Sequence, residues 1–158
     1  MAYIEYERKR KIMYDYLTEL DKIQGRENAS PEDMEKWFNE LAEEGIDGIA
    51  EWIDIRIKYR LVGQLIVCQY PDCHPDADYF ISQAYIIPKA RKHGLMTKTV
   101  TDFVITHPGT YCMLVCNGNI YALRFWDKLF ASLGYEKIEL TNGVAEKSNS
   151  IQIGYRKK

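Results

Sequence analysis

Apolar side chains return every three or four residues between positions 6 and 23. Ile12, Met13, Tyr16, Leu17, Leu20 and Ile23 fall on one face of a helix that Gly25 is placed to end. Ahead of it, Ala2–Glu5 reads as a short strand. Ser30-Pro31-Glu32-Asp33 is a helix start, with serine as cap, proline at the first helical position and acids in the first turn. Met34, Trp37, Phe38 and Leu41 give this second helix its apolar face, and Gly45 is placed to close it. The period then changes. Ile53, Ile55 and Ile57 alternate with Asp54, Arg56 and Lys58 as a half-buried strand does. Leu61–Gln69 is a second strand, and Tyr79–Ile87, nearly apolar throughout, has the composition of a central one.

Pro88 ends that strand and a helix follows over Leu95–Ile105, with Met96, Val100, Phe103 and Val104 facing inward and His107-Pro108-Gly109 stopping it. Tyr111–Cys116 is a strand. Asn119–Ser132 is a helix with Ala122, Phe125, Trp126 and Leu129 on one side and Gly134 at its end. Tyr135–Leu140 and Ser150–Arg156 alternate and pair across a loop containing Asn142-Gly143. Elements of both types within 158 residues describe one α/β (mixed α+β) domain with no repeat and no linker. Its helical first part covers 1–48, its core 49–135 and a closing strand pair 136–158.

No apolar run approaches the roughly 20 residues of a membrane span, so the expectation is a soluble, cytoplasmic chain. Cys68, Cys73, Cys112 and Cys116 then read as reduced thiols, with Cys112, Leu114 and Cys116 sharing one strand face. Cys68, Cys73 and His74 do not match a zinc-ligand spacing, and no metal is expected. A net charge of −2 and pI of 5.9 argue against a nucleic-acid binder. The charge is unevenly spread. From Glu27 to Asp54 ten acids stand against Lys36, whereas Lys89, Arg91, Lys92 and Lys98 stand with His93 in a stretch without acids. Two ligand sites of opposite preference would use such a division, and a solvated helix face would produce the acidic half as well.

The chemically informative stretch is strand, Pro88, then Arg91-Lys92-His93-Gly94-Leu95-Met96 opening a helix. The first turn of a helix has unpaired N–H groups and a partial positive charge, and a glycine lets the backbone come close to a phosphate. One strand later comes Asn119-x-x-Ala122-x-x-Phe125-Trp126-Asp127-Lys128, ending in Leu133-Gly134-Tyr135. Taken together, with Leu61-Val62-Gly63 in the preceding strand, these segments resemble the GNAT N-acetyltransferase superfamily over about 61–135. Two positions depart from its pattern. Met96 stands where glycine or alanine is usual, and Trp126 where a tyrosine often protonates the departing thiolate.

The resemblance implies a central, mostly antiparallel, splayed sheet flanked by helices, and acetyl-coenzyme A as co-substrate. It places the cofactor against Tyr85, Ile86, Ile87, Arg91, Lys92, His93, Gly94, Leu95, Met96, Thr97, Asn119, Trp126 and Lys128. The 91–96 turn would cradle the diphosphate, the 85–87 strand edge would bond the pantetheine arm, and Lys128 and Lys98 would meet the adenosine phosphates. Met96 is expected to point away from the phosphates, which would make Met96→Gly tolerable. The implied reaction is direct attack by an amine in a ternary complex, with an N–H near Ile86 stabilising the oxyanion and Asn119 contacting pantetheine or amine. Tyr121 and Tyr85 stand in for the missing acid. Asp78, Ser82 through a water, or an acid from the Glu40–Asp47 region supplies the base. Asn119, Tyr121 and Ser82 are thus the candidate catalytic residues, and Cys116 is read as a buried thiol rather than a nucleophile.

In this family the first two helices and the loop before the motif strand wall the acceptor site. Here they contain the acids together with Trp37, Phe38 and Trp52, which suits a cationic amine through ion pairing and cation–π contact. The other reading makes Trp37 and Phe38 core and the acids solvated. The competing function is a GNAT-like module that binds coenzyme A or a protein without catalysis. Either would act as a monomer or homodimer, with neither nucleic acid nor membrane as partner.

Overall fold

The computed structural model describes residues 2–46, 48–69, 76–140 and 150–158. Helix α1 (Ala2–Ile23) and helix α2 (Pro31–Ile46) lead into strands β1 (Ala50–Ile57), β2 (Arg60–Cys68) and β3 (Tyr79–Ile86). A 3₁₀ turn (Pro88–Ala90), helix α3 (Leu95–Thr106), strand β4 (Tyr111–Cys116), helix α4 (Ile120–Ser132) and strands β5 (Tyr135–Ile138) and β6 (Ser150–Lys157) complete it. The six strands form one sheet in the order β1-β2-β3-β4-β6-β5. Every neighbouring pair is antiparallel except β3–β4. The sheet is therefore the mixed, mostly antiparallel kind that the resemblance implies.

Two expectations at the N-terminal side are corrected. The strand expected at Ala2–Glu5 is the first turn of α1, because alternation over four residues is a weak signal and extending a formed helix adds one hydrogen bond per residue. Helix α2 runs through Gly45 to Ile46 instead of closing at the glycine. Beyond the core, Tyr135–Ile138 pairs with Ser150–Lys157 as expected, and Asn142-Gly143 lies outside the described residues.

Helices cover both faces of the sheet. On one, Met13 of α1 and Phe38 of α2 bury against Ala50, Ile66 and Cys68, and Phe38 meets the Tyr6 and Trp52 rings edge-on at 5.0 and 5.9 Å. Phe38 is thus core, whereas Trp37 is 41% exposed and belongs to neither core nor cavity. On the other face Val100, Phe103 and Val104 of α3, with Trp126, Leu129 and Phe130 of α4, pack on Leu65, Val67, Tyr111, Met113 and Tyr155. Phe130 stacks on Tyr155 at 4.3 Å.

The feature that positions a site is the end of the β3–β4 pairing. These parallel strands are in register only from Tyr79/Tyr111 to Ile81/Met113. Beyond Ile81, β3 stays paired to β2 through Ile86/Gly63, after a bulge that leaves Ser82 unmatched between Ile81/Val67 and Gln83/Ile66. A bulge bends and twists its strand, and this one lies where β3 leaves β4. Gly63 lets β2 follow the bend closely. A Cβ there would stand 2.4 Å from the Tyr85 carbonyl oxygen and 2.9 Å from Ile86 Cγ1. Gly63→Ala is expected to cost about 2–3 kcal/mol, lowering the melting temperature by roughly 5–10 °C. An unchanged thermal melt would show that β2 does not need this approach.

Candidate functional site

A cavity of about 740 Å³ opens where β3 and β4 diverge. From one face it is lined by Leu95, Met96 and Thr97 of α3 and by Asn119, Tyr121, Ala122, Phe125 and Trp126 of α4. From the other it is lined by Tyr16, Glu19, Leu20 and Ile23 of α1. Ala84, Tyr85 and Ile86 border it between them, so the cavity passes through the plane of the sheet. The Ile87 amide donates to the Val62 carbonyl at 2.9 Å, toward β2. Main-chain groups alternate in direction along a strand. Those of Ala84 and Ile86 therefore face the gap.

The turn that follows is shaped by two residues of positive φ, Lys92 (68°) and Gly94 (72°). Gly94 caps α3, and the Lys98 amide makes the first helical bond to its carbonyl at 3.0 Å. The amides of Leu95, Met96 and Thr97 are thereby the unpaired first-turn donors, with the positive end of the helix dipole behind them. A Cβ on Gly94 would stand in open space. Such a turn and helix start can hold a diphosphate, and the adjoining strand edge can take an amide-bearing chain.

No family model matches the chain, and no curated relative matches its sequence. Solved structures do match. An acetyltransferase from Thermus thermophilus is 16% identical, with 94% of this chain and 89% of that chain covered and a TM-score of 0.63. The PaiA N-acetyltransferase from Thermoplasma acidophilum, in complex with coenzyme A, is 10% identical over 98% and 93%, with a TM-score of 0.61. Diaminobutyrate acetyltransferase EctA from Paenibacillus lautus, in complex with L-2,4-diaminobutyric acid and coenzyme A, is 10% identical over 96% and 89%, with a TM-score of 0.62. The chain has the GNAT fold.

Within that fold most of the residues predicted from sequence converge on the cavity. Tyr85, Ile86, Arg91, Lys92, Gly94, Leu95, Met96, Thr97, Asn119 and Trp126 line it, as does Tyr121. Ile87, His93, Lys128 and Ser82 lie outside the lining. Lys98 forms an exposed ion pair with Asp102 at 2.7 Å. Asp78 accepts the Thr110 amide at 2.7 Å and clamps the start of β3 to that of β4, away from the gap. No acid of α2 with a described side chain reaches the cavity. Glu35 pairs with Arg10 and Glu40 with Lys36, while Glu44 and Asp47 fall outside the described side chains. Cys73 and His74 lie outside the described residues. Burial pushes the Cys116 thiol up, and Cys116 does not line the cavity.

The Arg91 side chain departs from expectation. Its guanidinium binds the Glu19 carboxylate through two bonds, 3.0 and 2.8 Å, donates from Nε to the Ile86 carbonyl at 2.8 Å, and lies 5.2 Å over the Tyr85 ring. It is therefore committed within the protein, which leaves the turn's amides and Lys92 as the donors on the cavity side. Arg91 holds Glu19 below its ordinary value, and burial, with the Glu19 charge adding to it, pushes the Tyr85 phenol up to about 12. Asn119 accepts the Ala122 amide at 3.2 Å as the α4 cap, which leaves its NH₂ to face a ligand. Met96 lines the cavity, and its side chain packs on the clusters around Val100 and Ile86, so Met96→Gly loses contacts as well as about 1 kcal/mol of helix propensity.

Glu19 escaped the sequence reading, yet it left a signal. It stands three residues after Tyr16 and four before Ile23, a charge inside an apolar stripe. Its folded-state pKa lies below its ordinary 4.5, so the contribution of the pair is complete above that pH and is lost as pH falls through the folded value. Glu19→Gln is expected to cost roughly 0.5–1 kcal/mol at neutral pH, the usual worth of a partly exposed pair. The gap from wild type should close between neutral pH and strongly acid pH, as the pH falls through the folded value below 4.5. Thermal melts at the two pH values test this, and a gap that persists in acid would refute it.

Proposed function

We propose that the protein is an acetyl-coenzyme A-dependent N-acetyltransferase acting on a primary amine by direct attack in a ternary complex. The observation that supports this reading most is the through-sheet cavity, bordered by an unpaired strand edge and a glycine-opened helix start. Its residues fit the co-substrate. The Leu95, Met96 and Thr97 amides and the Lys92 ammonium would hold the diphosphate, and the main-chain groups of Ala84 and Ile86 would hold the pantetheine amides. When bound, the group supplies an acetyl thioester. The amine nitrogen bonds to the acetyl carbon, the carbon–sulfur bond breaks, the thiolate takes a proton and the amine gives one up. A strand N–H near Ile86 that the pantetheine leaves free would meet the negative charge developing on the carbonyl oxygen. Protonating a thiolate of pKa about 8.5 from Tyr85 is uphill by roughly 5 kcal/mol. Tyr121, which lines the cavity and is mostly exposed, is the acid this reading keeps. Indole at Trp126 supplies none, and Trp126 instead packs against Phe130.

On the other side of the reaction, an alkylamine of pKa about 10.4 costs roughly 4–5 kcal/mol to deprotonate at pH 7. Among the described lining residues the carboxylate is Glu19, which Arg91 holds too low to be an effective base. The amine therefore arrives as its free base. kcat/KM for an alkylamine should climb about tenfold per pH unit between pH 6 and 9, and a plateau set by an enzyme group near neutrality would refute this.

Release of thiol from acetyl-coenzyme A across a panel of amines tests the reading. Tight binding without turnover would favour the alternative, a module that binds coenzyme A without catalysis, which Trp126 in place of tyrosine supports. Gly94→Val puts a β-branched residue at positive φ and its side chain into the cavity mouth. Calorimetry is expected to show coenzyme A binding weakened by about tenfold or more. Unchanged affinity in a folded variant would overturn the assignment of the turn.

A further inference from the structure

The cavity does not end at α1. A second hollow, bounded by Asp15, Lys22 and Pro88, shares Glu19, Ile23 and Arg91 with it, so the two meet across the Glu19–Arg91 ion pair. A third, of about 730 Å³, shares Asp15 and Pro88 with the second and continues toward the start of α1. Their shared lining residues set the three hollows end to end along one side of the helix, in the line of a trough. Its far end has an apolar floor of Ile12, Leu61 and Ile87, and a rim of Arg8, Lys11, Arg60 and Lys89. The acid on that rim is Asp15, which Lys11 already pairs at 2.9 Å. Arg8, Arg60 and Lys89 have no ion pair among the described residues, in a chain whose net charge is −2. From Arg8 to Glu19 the helix rises about 16 Å, the reach of about five residues of extended chain.

We propose that this trough seats an extended peptide whose amino end is the acceptor, and that acidic side chains near its fifth residue lie against Arg8, Arg60 and Lys89. The inference rests on the N-acetyltransferase reading for its chemistry and on the trough for its specificity. A hydrophobic floor with unpaired bases above it fits an acidic segment and repels a basic one. The α2 acids with described side chains line none of the three hollows, so the acceptor is selected by carboxylates distant from the amine, not by positive charge on the acceptor.

Two peptides with the same first three residues, differing only in Asp/Glu or Lys at positions four to six, separate the possibilities when labelled at the C-terminus and titrated with the full chain. Anisotropy should show the acidic peptide binding about tenfold tighter, and the difference should fade at 1 M salt. Arg8→Glu combined with Lys89→Glu should abolish or reverse the preference, with coenzyme A affinity and the turnover of a short amine unchanged. Equal binding of the two peptides would overturn the proposal. So would a charge reversal that weakens coenzyme A instead, since the cofactor phosphates would then be the occupants. Peptide binding is read without turnover, so an enzyme inactive on every amine would count against the acetyltransferase reading and leave the peptide result to decide this one.

Discussion

The structure turns on a strand that loses its neighbour halfway along. Backbone N–H and C=O groups enclosed by a fold are almost always paired, and β3 meets that demand on one edge only. Toward β2 it is bonded as far as Ile87, while toward β4 it is bonded only as far as Ile81. The remaining edge is flanked by α1 on one face and by α3 and α4 on the other, and one of its carbonyls is satisfied by Arg91. What is left is a short run of main-chain donors and acceptors beside a hollow, and an extended ligand with amide groups completes it as another strand would. The bulge at Ser82 and the side-chain-free face of Gly63 are the local means by which the divergence is built.

The ion pair between α1 and the turn acts through geometry more than through energy. The Glu19 and Arg91 side chains are each a little over a third exposed, so water screens them and their attraction adds little stability. Yet a fork of two charge-assisted bonds, with Nε fixed to the Ile86 carbonyl and the guanidinium laid on Tyr85, leaves Arg91 few alternative orientations. Tyr85 packs in turn on Tyr16 at 5.7 Å. One helix turn of α1 is thereby tied to the strand edge and to the turn before α3 together, so a change at Glu19 is felt on both sides of the sheet.

Much of this was legible in the chain. Alternation marked β1 and β6, helical spacing marked α2, α3 and α4, and the glycine after Arg91-Lys92-His93 marked the turn, because each depends on contacts within a few residues. Strand order, by contrast, depends on which distant segments meet, and the sheet arrangement came from the resemblance alone. The site divided along the same line. Residues in the turn and the α4 start were found because their spacing is local. Glu19 and Tyr16, about 70 residues from Arg91, were not. The α2 acids drew attention by number, but number does not place a side chain in a cavity. Phe38 was drawn into the core by the same stripe that left Trp37 outside it.

The distribution of charge also constrains which acceptor the cavity can accept. A polycation would need carboxylates free to meet it, and the described lining offers Glu19, already held by Arg91. On the peptide proposal, a longer acceptor would run outward along α1, where the groups without an ion pair among the described residues include Arg8, Arg60 and Lys89. An amine positive along its length would thus find little to pair with inside and repulsion outside. One that joins a single amino end to a more distant acidic stretch meets a lining suited to each part. The motifs that carry the resemblance span about 61–135 and so do not reach the side chains of α1, which line the cavity from its other face.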